Sequence, residues 1–214
     1  MTQTIQHHLT DALLMAYSAG TLPEAFNLTI AAHITMCDTC RAHLGAFDSI
    51  GGALLAGQDS APMAKGSLQA CLAAAKAGRP ALAAPQCRSV LPAPLLSYIG
   101  GDLQDVKWRP VGMGIRQAIL PTDGRATARL LYIPAGSAVP DHGHRGMEMT
   151  LVLQGAFADD TARFAKGDIE IADEDLDHTP VADIGADCIC LAATDAPLRF
   201  RGLIPRIAQP FLRI

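Results

Sequence analysis

Residues 1 to about 78 carry apolar side chains at helical spacing, and Leu13, Leu14 and Tyr17 fall on one face of the first segment. Gly20 follows the last residue of that segment, where a helix-ending glycine is expected. Helices with short connections are typical of a small antiparallel bundle. The predicted helices begin after Thr10, at Pro23-Glu24, at Asp38 and at Lys65; they end at Gly20, near Cys37, at Gly51-Gly52 or after a kink at Leu55, and at Ala77.

The pattern changes at a stretch of prolines interleaved with alanine, which cannot remain helical and indicates a linker. Beyond it, short apolar runs bounded by Gly, Pro and Asp favour an antiparallel β-barrel or jelly roll. The clearest predicted strands are 129–133, 149–153 and 188–192. The expected fold is therefore α + β with two domains: a helical bundle over 1–85, a linker over 86–94, a barrel over 95–200 and a C-terminal tail over 201–214.

Composition and charge exclude several classes of protein. Hydrophobic residues make up 50% of the 214 residues and charged residues 18%, so the chain can bury a core. The net charge is −4, and residues 1–85 hold four basic and five acidic side chains, which argues against direct DNA binding. The N-terminus lacks a signal-peptide pattern, and no apolar run approaches the roughly 18 residues of a membrane span. We expect a cytoplasmic protein whose cysteines are metal ligands, reactive thiols or core residues.

His33, Cys37 and Cys40 form an H-x₃-C-x₂-C cluster. On a helix, the first two would lie on one face, and a C-x₂-C pair can hold one tetrahedral ion. Two thiolates with imidazole are typical of structural zinc. A fourth ligand must come from another segment, with His7 and His8 as the main candidates and His43 and Cys71 as weaker ones.

A second cluster lies in the predicted barrel. His142, His144 and Glu148 stand at even offsets, so their side chains can point to the same face of an extended chain. The segment 136–155 reads G-x₅-H-x-H-x₃-E-x₆-G, which resembles the first sequence motif of the cupins. Imidazole and carboxylate ligands suit zinc, manganese, iron or nickel. This set predicts a second metal site in the barrel.

The cupin resemblance implies one more histidine ligand, from a second motif that follows a Gly-Asp turn. Gly167-Asp168 and His178 fit that motif, although the chain departs from it at Asp173, Asp175 and Ala182. Cys188 and Cys190 share one face of a predicted strand. They are either two small residues of the barrel wall or an oxidisable pair near the metal, which would require exposure or a low thiol pKa.

The chain as a whole resembles the ChrR-type zinc-binding anti-sigma factors, in which a zinc-binding helical domain precedes a cupin domain. The resemblance is carried by His8, the run from Asp11 to Leu14, the segment 33–41 and the cupin motif. It implies that His8 is the fourth zinc ligand. It also implies 1:1 binding of an extracytoplasmic-function sigma factor, and a cupin metal needed for release in response to singlet oxygen or organic hydroperoxides.

Two classes of function follow. The first is a non-enzymatic anti-sigma factor, with Leu13, Leu14, Phe26 and Ile30 as contacts to the partner or as internal core. The second is a metal-dependent cupin enzyme, a dioxygenase or isomerase, with a helical regulatory or dimerisation domain. The sequence offers no convincing general acid or base beside the predicted metal ligands, which favours the first class.

Overall fold

A computed structural model describes residues 4–78, 89–143 and 145–200 of the chain. The four predicted helices are present in it, and the third runs through Gly51-Gly52 without stopping. A fifth helix, which the proline pattern concealed, crosses the expected boundary between the linker and the barrel. The helices are α1 (Asp11–Ser18), α2 (Glu24–Met36), α3 (Asp38–Ala56), α4 (Ser67–Ala77) and α5 (Ala93–Ile99).

Local sequence signals explain the helix ends near the cysteines. The Thr10 side chain accepts a hydrogen bond from the backbone N–H of Leu13, which caps α1. Cys37 ends α2 through its backbone N–H, which donates to the His33 carbonyl oxygen, and its Sγ accepts from the backbone N–H of Cys40 at the start of α3. A single residue therefore forms the corner between two helices, and this corner holds both cysteines close to His33.

Every strand pairing among the described residues is antiparallel. A six-stranded sheet has the order β1-β2-β3-β11-β5-β8, and two three-stranded sheets have the orders β10-β6-β7 and β12-β4-β9. The α + β fold class is confirmed. The strands are β1 (Arg109–Gly112), β2 (Ile115–Ile119), β3 (Thr127–Ile133), β4 (His142–Gly143), β5 (Glu148–Gln154), β6 (Ala156–Ala158), β7 (Arg163–Ala165), β8 (Ile169–Ala172), β9 (Asp177–His178), β10 (Val181–Ala182), β11 (Cys188–Thr194) and β12 (Arg199–Phe200).

Helix α2 packs on the outer face of the large sheet, against β3, β5 and β11. Phe26 and Ile30 of this helix belong to the same buried cluster as Leu130, Leu151 and Leu191 of those strands. Each such side chain contributes about 2 kcal/mol through burial of its apolar surface. The helices and the barrel thus share one hydrophobic core.

The opposite face of the large sheet lines the barrel interior, where a second apolar cluster includes Ile115, Ile133, Val152 and Phe157. Strands β5 and β11, in the interior of this sheet, are covered on both faces and are almost entirely buried, although β5 also carries Glu148, Thr150 and Gln154. Helix α4 differs from the rest because none of its residues is buried. No helix in the described ranges has the length and hydropathy needed to cross a membrane.

The predicted tail, 201–214, lies outside the described residues, as do residues 79–88, which hold the end of the predicted helical domain and the first part of the predicted linker. The same is true of His144.

Candidate metal centres

His8, His33, Cys37 and Cys40 come together at the corner between α2 and α3, with one ligand atom of each within 4.8 Å of the others. His33 Nε2 lies 3.2 Å from Cys40 Sγ. His8 Nδ1 lies 3.3 Å from Cys37 Sγ and 3.7 Å from Cys40 Sγ. In tetrahedral zinc, with ~2.0–2.1 Å bonds to nitrogen and ~2.3 Å bonds to sulfur, these atoms would be about 3.6 Å apart. The donor set fits one such ion.

The protonation of these side chains favours a cation at the corner. Burial lowers the pKa of His33 to about 4, so its imidazole is neutral at pH 7 and has a lone pair to donate. Burial also raises the pKa of Cys40 to about 11, with Cys37 adding to the shift. A buried thiolate is unfavourable unless a positive charge compensates it, so binding of a metal ion would release the thiol protons.

The four candidates for the fourth ligand lie at different places in the structure, and their positions decide which of them can reach the cluster. The ring of His7 packs on Phe164, with 4.4 Å between the ring centroids. His43 Nδ1 lies 3.1 Å from an Asp11 carboxylate oxygen on the exposed side of the helices, and Cys71 is exposed on α4. His8 is the one of the four whose ligand atom lies within the cluster.

The extended segment that carries His8 is held by a turn of the barrel. The Oδ1 atom of Asp168 accepts hydrogen bonds from the backbone N–H groups of Gln6 at 2.6 Å and of His7 at 3.0 Å. Its Oδ2 accepts from the backbone N–H of Ala165 at 2.9 Å. The carboxylate is only 4% exposed, so these charge-assisted bonds are sheltered from water. We call Asp168 with these amides the Asp168 clamp.

Gly167, beside the clamp, also fits closely against the helical half. It has φ +93, which a side chain would strain, and an added Cβ would lie 2.6 Å from the Ile5 side chain. The Gly167 backbone also acts on the buried His33 ring, where it raises the pKa against the larger effect of burial. The turn between β7 and β8 therefore contacts the surroundings of two of the four candidate ligands.

In the barrel, β4 pairs with β9 so that His142 is directly opposite His178. Their Nε2 atoms are 3.3 Å apart, and two imidazoles on one tetrahedral zinc would have the same separation, about 3.3 Å. His142 Nδ1–H donates to the Pro140 carbonyl oxygen at 2.8 Å, which orients its Nε2 toward His178. Glu148 is buried at the start of β5, and its carboxylate accepts a hydrogen bond from the Thr150 hydroxyl. These three residues line the same cavity.

Two carboxylates that the sequence did not identify lie on the other side of His178. Its Nδ1–H donates to Asp159 Oδ2 at 2.9 Å, and Glu170 Oε1 lies at 3.2 Å without the geometry of a hydrogen bond. This arrangement is the one that usually orients a metal-binding histidine. Asp159, Glu170 and His178 also lie within 4.8 Å of one another, as an alternative group of ligands. Glu170 faces the barrel interior on β8, and the alternation of inward and outward residues along that strand could have predicted this. Asp159 lies in the loop after β6, where no sequence pattern predicts the direction of its side chain.

Charge around His178 controls its protonation. Burial lowers the pKa of His178, but Glu170 and Asp159 raise it more, to about 9. Burial lowers the pKa of His142, which is therefore the neutral partner. Burial raises the pKa of Glu170 to about 7. Without a metal ion, the proton on His178 occupies the space between the two Nε2 atoms.

Cys188 and Cys190 lie with their sulfur atoms 3.4 Å apart in the barrel wall, and both are fully buried. The contact with Cys188 and burial raise the pKa of Cys190 well above its usual value. Cys190 has neither the exposure nor the low pKa that an oxidisable thiol requires, and Cys188 is also buried, so the environment favours two packed thiols.

The first testable prediction compares the two adjacent histidines of the N-terminal segment. The four donors predict a tightly bound metal ion at the α2–α3 corner, and His8→Ala should remove it, because three donors bind such an ion much more weakly than four. His7→Ala should retain it, because His7 packs on Phe164. Metal content per chain, measured by elemental mass spectrometry after dialysis against a mild chelator, distinguishes the variants. Equal metal loss in both would contradict the assignment.

The second prediction concerns pH and the barrel. Below the His178 pKa of about 9, a metal ion must displace the proton on this residue. The affinity of the barrel site for a metal ion should therefore fall as pH is lowered from 9 to 6, by about tenfold per pH unit for each proton displaced. Glu170→Gln removes a negative charge that raises this pKa, so the decline should begin at a lower pH. Chelator competition at several pH values measures both curves; identical curves would refute the role given to Glu170.

The third prediction concerns the Asp168 clamp. Asp168→Ala leaves the amides of Gln6, His7 and Ala165 without their acceptor, at a cost of about 3 kcal/mol. Hydrogen exchange at the first two amides should accelerate, and metal release from the corner should become faster. Asp173→Ala, which removes an exposed turn carboxylate bonded to the Asp175 amide, is the matched control. Unchanged exchange at residues 6 and 7 would show that the clamp does not hold the segment.

The ChrR cupin-like domain family matches residues 97–196. Over 99% of its length, the chain is 59% identical to the anti-sigma-E factor ChrR of Cereibacter sphaeroides and covers 100% of that protein. Its structure is similar to a crystal structure of Rhodobacter sphaeroides SigE in complex with the anti-sigma ChrR. That match has a TM-score of 0.79 and 57% identity, and covers 89% of this chain and 99% of the other. The chain belongs to the ChrR family of anti-sigma factors.

Proposed function

We propose that this chain is a cytoplasmic, non-enzymatic regulator that binds one extracytoplasmic-function sigma factor and inhibits it through the helical half. The single observation that carries the proposal is the similarity along nearly the whole chain to ChrR, which is crystallised in complex with SigE. Sigma factors act on RNA polymerase in the cytoplasm, which supports that location. The predicted bounds of 1–85 for the helical domain and 95–200 for the barrel are part of the proposal.

The partner surface lies on α3 and α4. Leu13, Leu14, Phe26 and Ile30, which the sequence offers either as partner contacts or as internal core, are at most 7% exposed and belong to the core of this chain. Large apolar side chains are instead exposed from the second half of α3 to α4. We call these the α3–α4 apolar residues: Ile50, Leu54, Leu55, Met63, Leu68 and Leu72, each at least 51% exposed.

Such exposure is unfavourable in a protein that functions alone, and clusters of exposed apolar residues commonly mark binding surfaces. Leu54 follows Ile50 by four residues, and Leu72 follows Leu68 by four, so each pair presents one helix face. Helix α4 buries none of its own residues. A partner that covers these faces would supply the packing that α4 lacks here.

The proposed metals follow from the donor sets. Two sulfur and two nitrogen donors in tetrahedral reach favour zinc at the α2–α3 corner, where the ion would be structural. His142, His144, Glu148 and His178 are the proposed ligands in the barrel, for zinc, manganese, iron or nickel. The barrel metal would be needed for release of the sigma factor in response to singlet oxygen or organic hydroperoxides.

The fourth prediction tests the partner surface. Leu54→Asp with Leu72→Asp should weaken the complex with the cognate sigma factor by about thirtyfold or more, because each is expected to be a buried apolar contact in the complex. Ile184→Asp, at a side chain 92% exposed near the barrel, is the control and should bind normally. Binding is measured by co-purification and by biolayer interferometry. An unchanged affinity of the double variant would exclude this surface.

A further inference from the structure

The barrel encloses a cavity of about 260 Å³ whose two ends differ in chemistry. The apolar end is formed by Ile115, Leu131, Ile133, Val139 and Phe157. The other end holds Arg129, Thr150 and the carboxylates of Glu148 and Glu170, beside the two described histidines. An amphipathic cavity of this size accommodates a small organic molecule with one polar head.

Arg129 is the unusual group in this cavity. It lies on β3 and is only 6% exposed. Of its five N–H donors, those on one terminal nitrogen reach a single acceptor, Gln117 Oε1, at the long distance of 3.3 Å. Its buried Nε has no hydrogen-bond partner among the residues that the structure describes. Glu148 attracts the guanidinium without forming an ion pair at contact distance in the described parts of the chain.

A guanidinium stays charged at neutral pH even when burial lowers its pKa, as it does here. Leaving a buried charge with one weak hydrogen bond is costly, and apolar residues would fill the position more favourably. Apolar residues do fill the neighbouring inward positions of the same strand, at Leu131 and Ile133. An anion bound beside Arg129 would supply the acceptor that its Nε–H lacks.

The shape of the guanidinium and the charges around it limit which class of anion the cavity can bind. A guanidinium matches a planar carboxylate with two parallel hydrogen bonds. Glu148 and Glu170 line the same cavity, so a doubly charged phosphate would meet stronger repulsion than a monoanion. The apolar end would bury a hydrocarbon tail, at about 0.8 kcal/mol for each CH₂ group.

We propose that the barrel cavity binds a monocarboxylate with an apolar tail, its carboxylate on Arg129 and its tail against Leu131, Ile133 and Phe157. This binding is independent of the sigma factor and is a property of the chain alone. It therefore remains testable whether or not the proposed anti-sigma function holds.

The experiment is isothermal titration of the full-length protein, as purified, with sodium octanoate. Saturable 1:1 binding is expected, with acetate weaker by at least about tenfold because it lacks the tail, and octanol weaker by a similar factor because it lacks the charge. Inorganic phosphate should not compete. Absence of octanoate binding, or equal binding of octanol, would overturn the proposal.

Two variants assign the site. Arg129→Met should abolish octanoate binding while raising the melting temperature of the free protein, because it removes an under-satisfied buried charge. The exposed Arg125→Met is the matched control and should bind normally. Val139→Phe narrows the apolar end and should weaken octanoate but not acetate. Unchanged octanoate binding by a folded Arg129→Met protein would place the carboxylate elsewhere and refute the assignment.

Discussion

The packing of α2 against the large sheet is the constraint on which the rest of this structure depends. One face of the helix lies in the core formed with β3, β5 and β11, and its last turn presents His33 to the two cysteines. The apolar side chains that fix the helix on the sheet therefore also fix the position of the α2–α3 corner. A metal ion at this corner would stabilise an arrangement that hydrophobic burial has already established, and it would add the N-terminal segment through His8.

The sequence predicts the features that depend on nearby residues. Thr10, Gly20 and the Cys37 corner act within one or two helical turns, so their effects can be inferred from spacing. His142 and His178 are farther apart, and they were predicted because a motif shared with the cupins carries that information. The fold class and the family follow from the same patterns.

Other features could not be predicted because the interacting groups are distant in the chain and follow no periodic pattern. Asp168 holds amides 161 and 162 residues away, and an Asp in a Gly-Asp turn has no sequence signal for that partner. Asp159 contacts His178 from a loop after β6. Helix α5 begins immediately after Pro92 and has Pro94 in its first turn, where proline is tolerated, so a composition that indicated a linker also fits a helix start.

Strand β8 and the turn before it connect the two candidate metal centres over a short distance. Asp168 points toward the helical half and holds the segment that carries His8, while Glu170 points into the barrel and lies 3.2 Å from His178. Two peptide units cannot change length, so a displacement of Glu170 along the strand also displaces Asp168. The Asp168 clamp consists of three hydrogen bonds of 2.6, 3.0 and 2.9 Å, and hydrogen bonds weaken steeply when their angle departs from linear. The turn and strand from Asp168 to Glu170 therefore contact the surroundings of both candidate metal centres, so the two centres share one short piece of backbone.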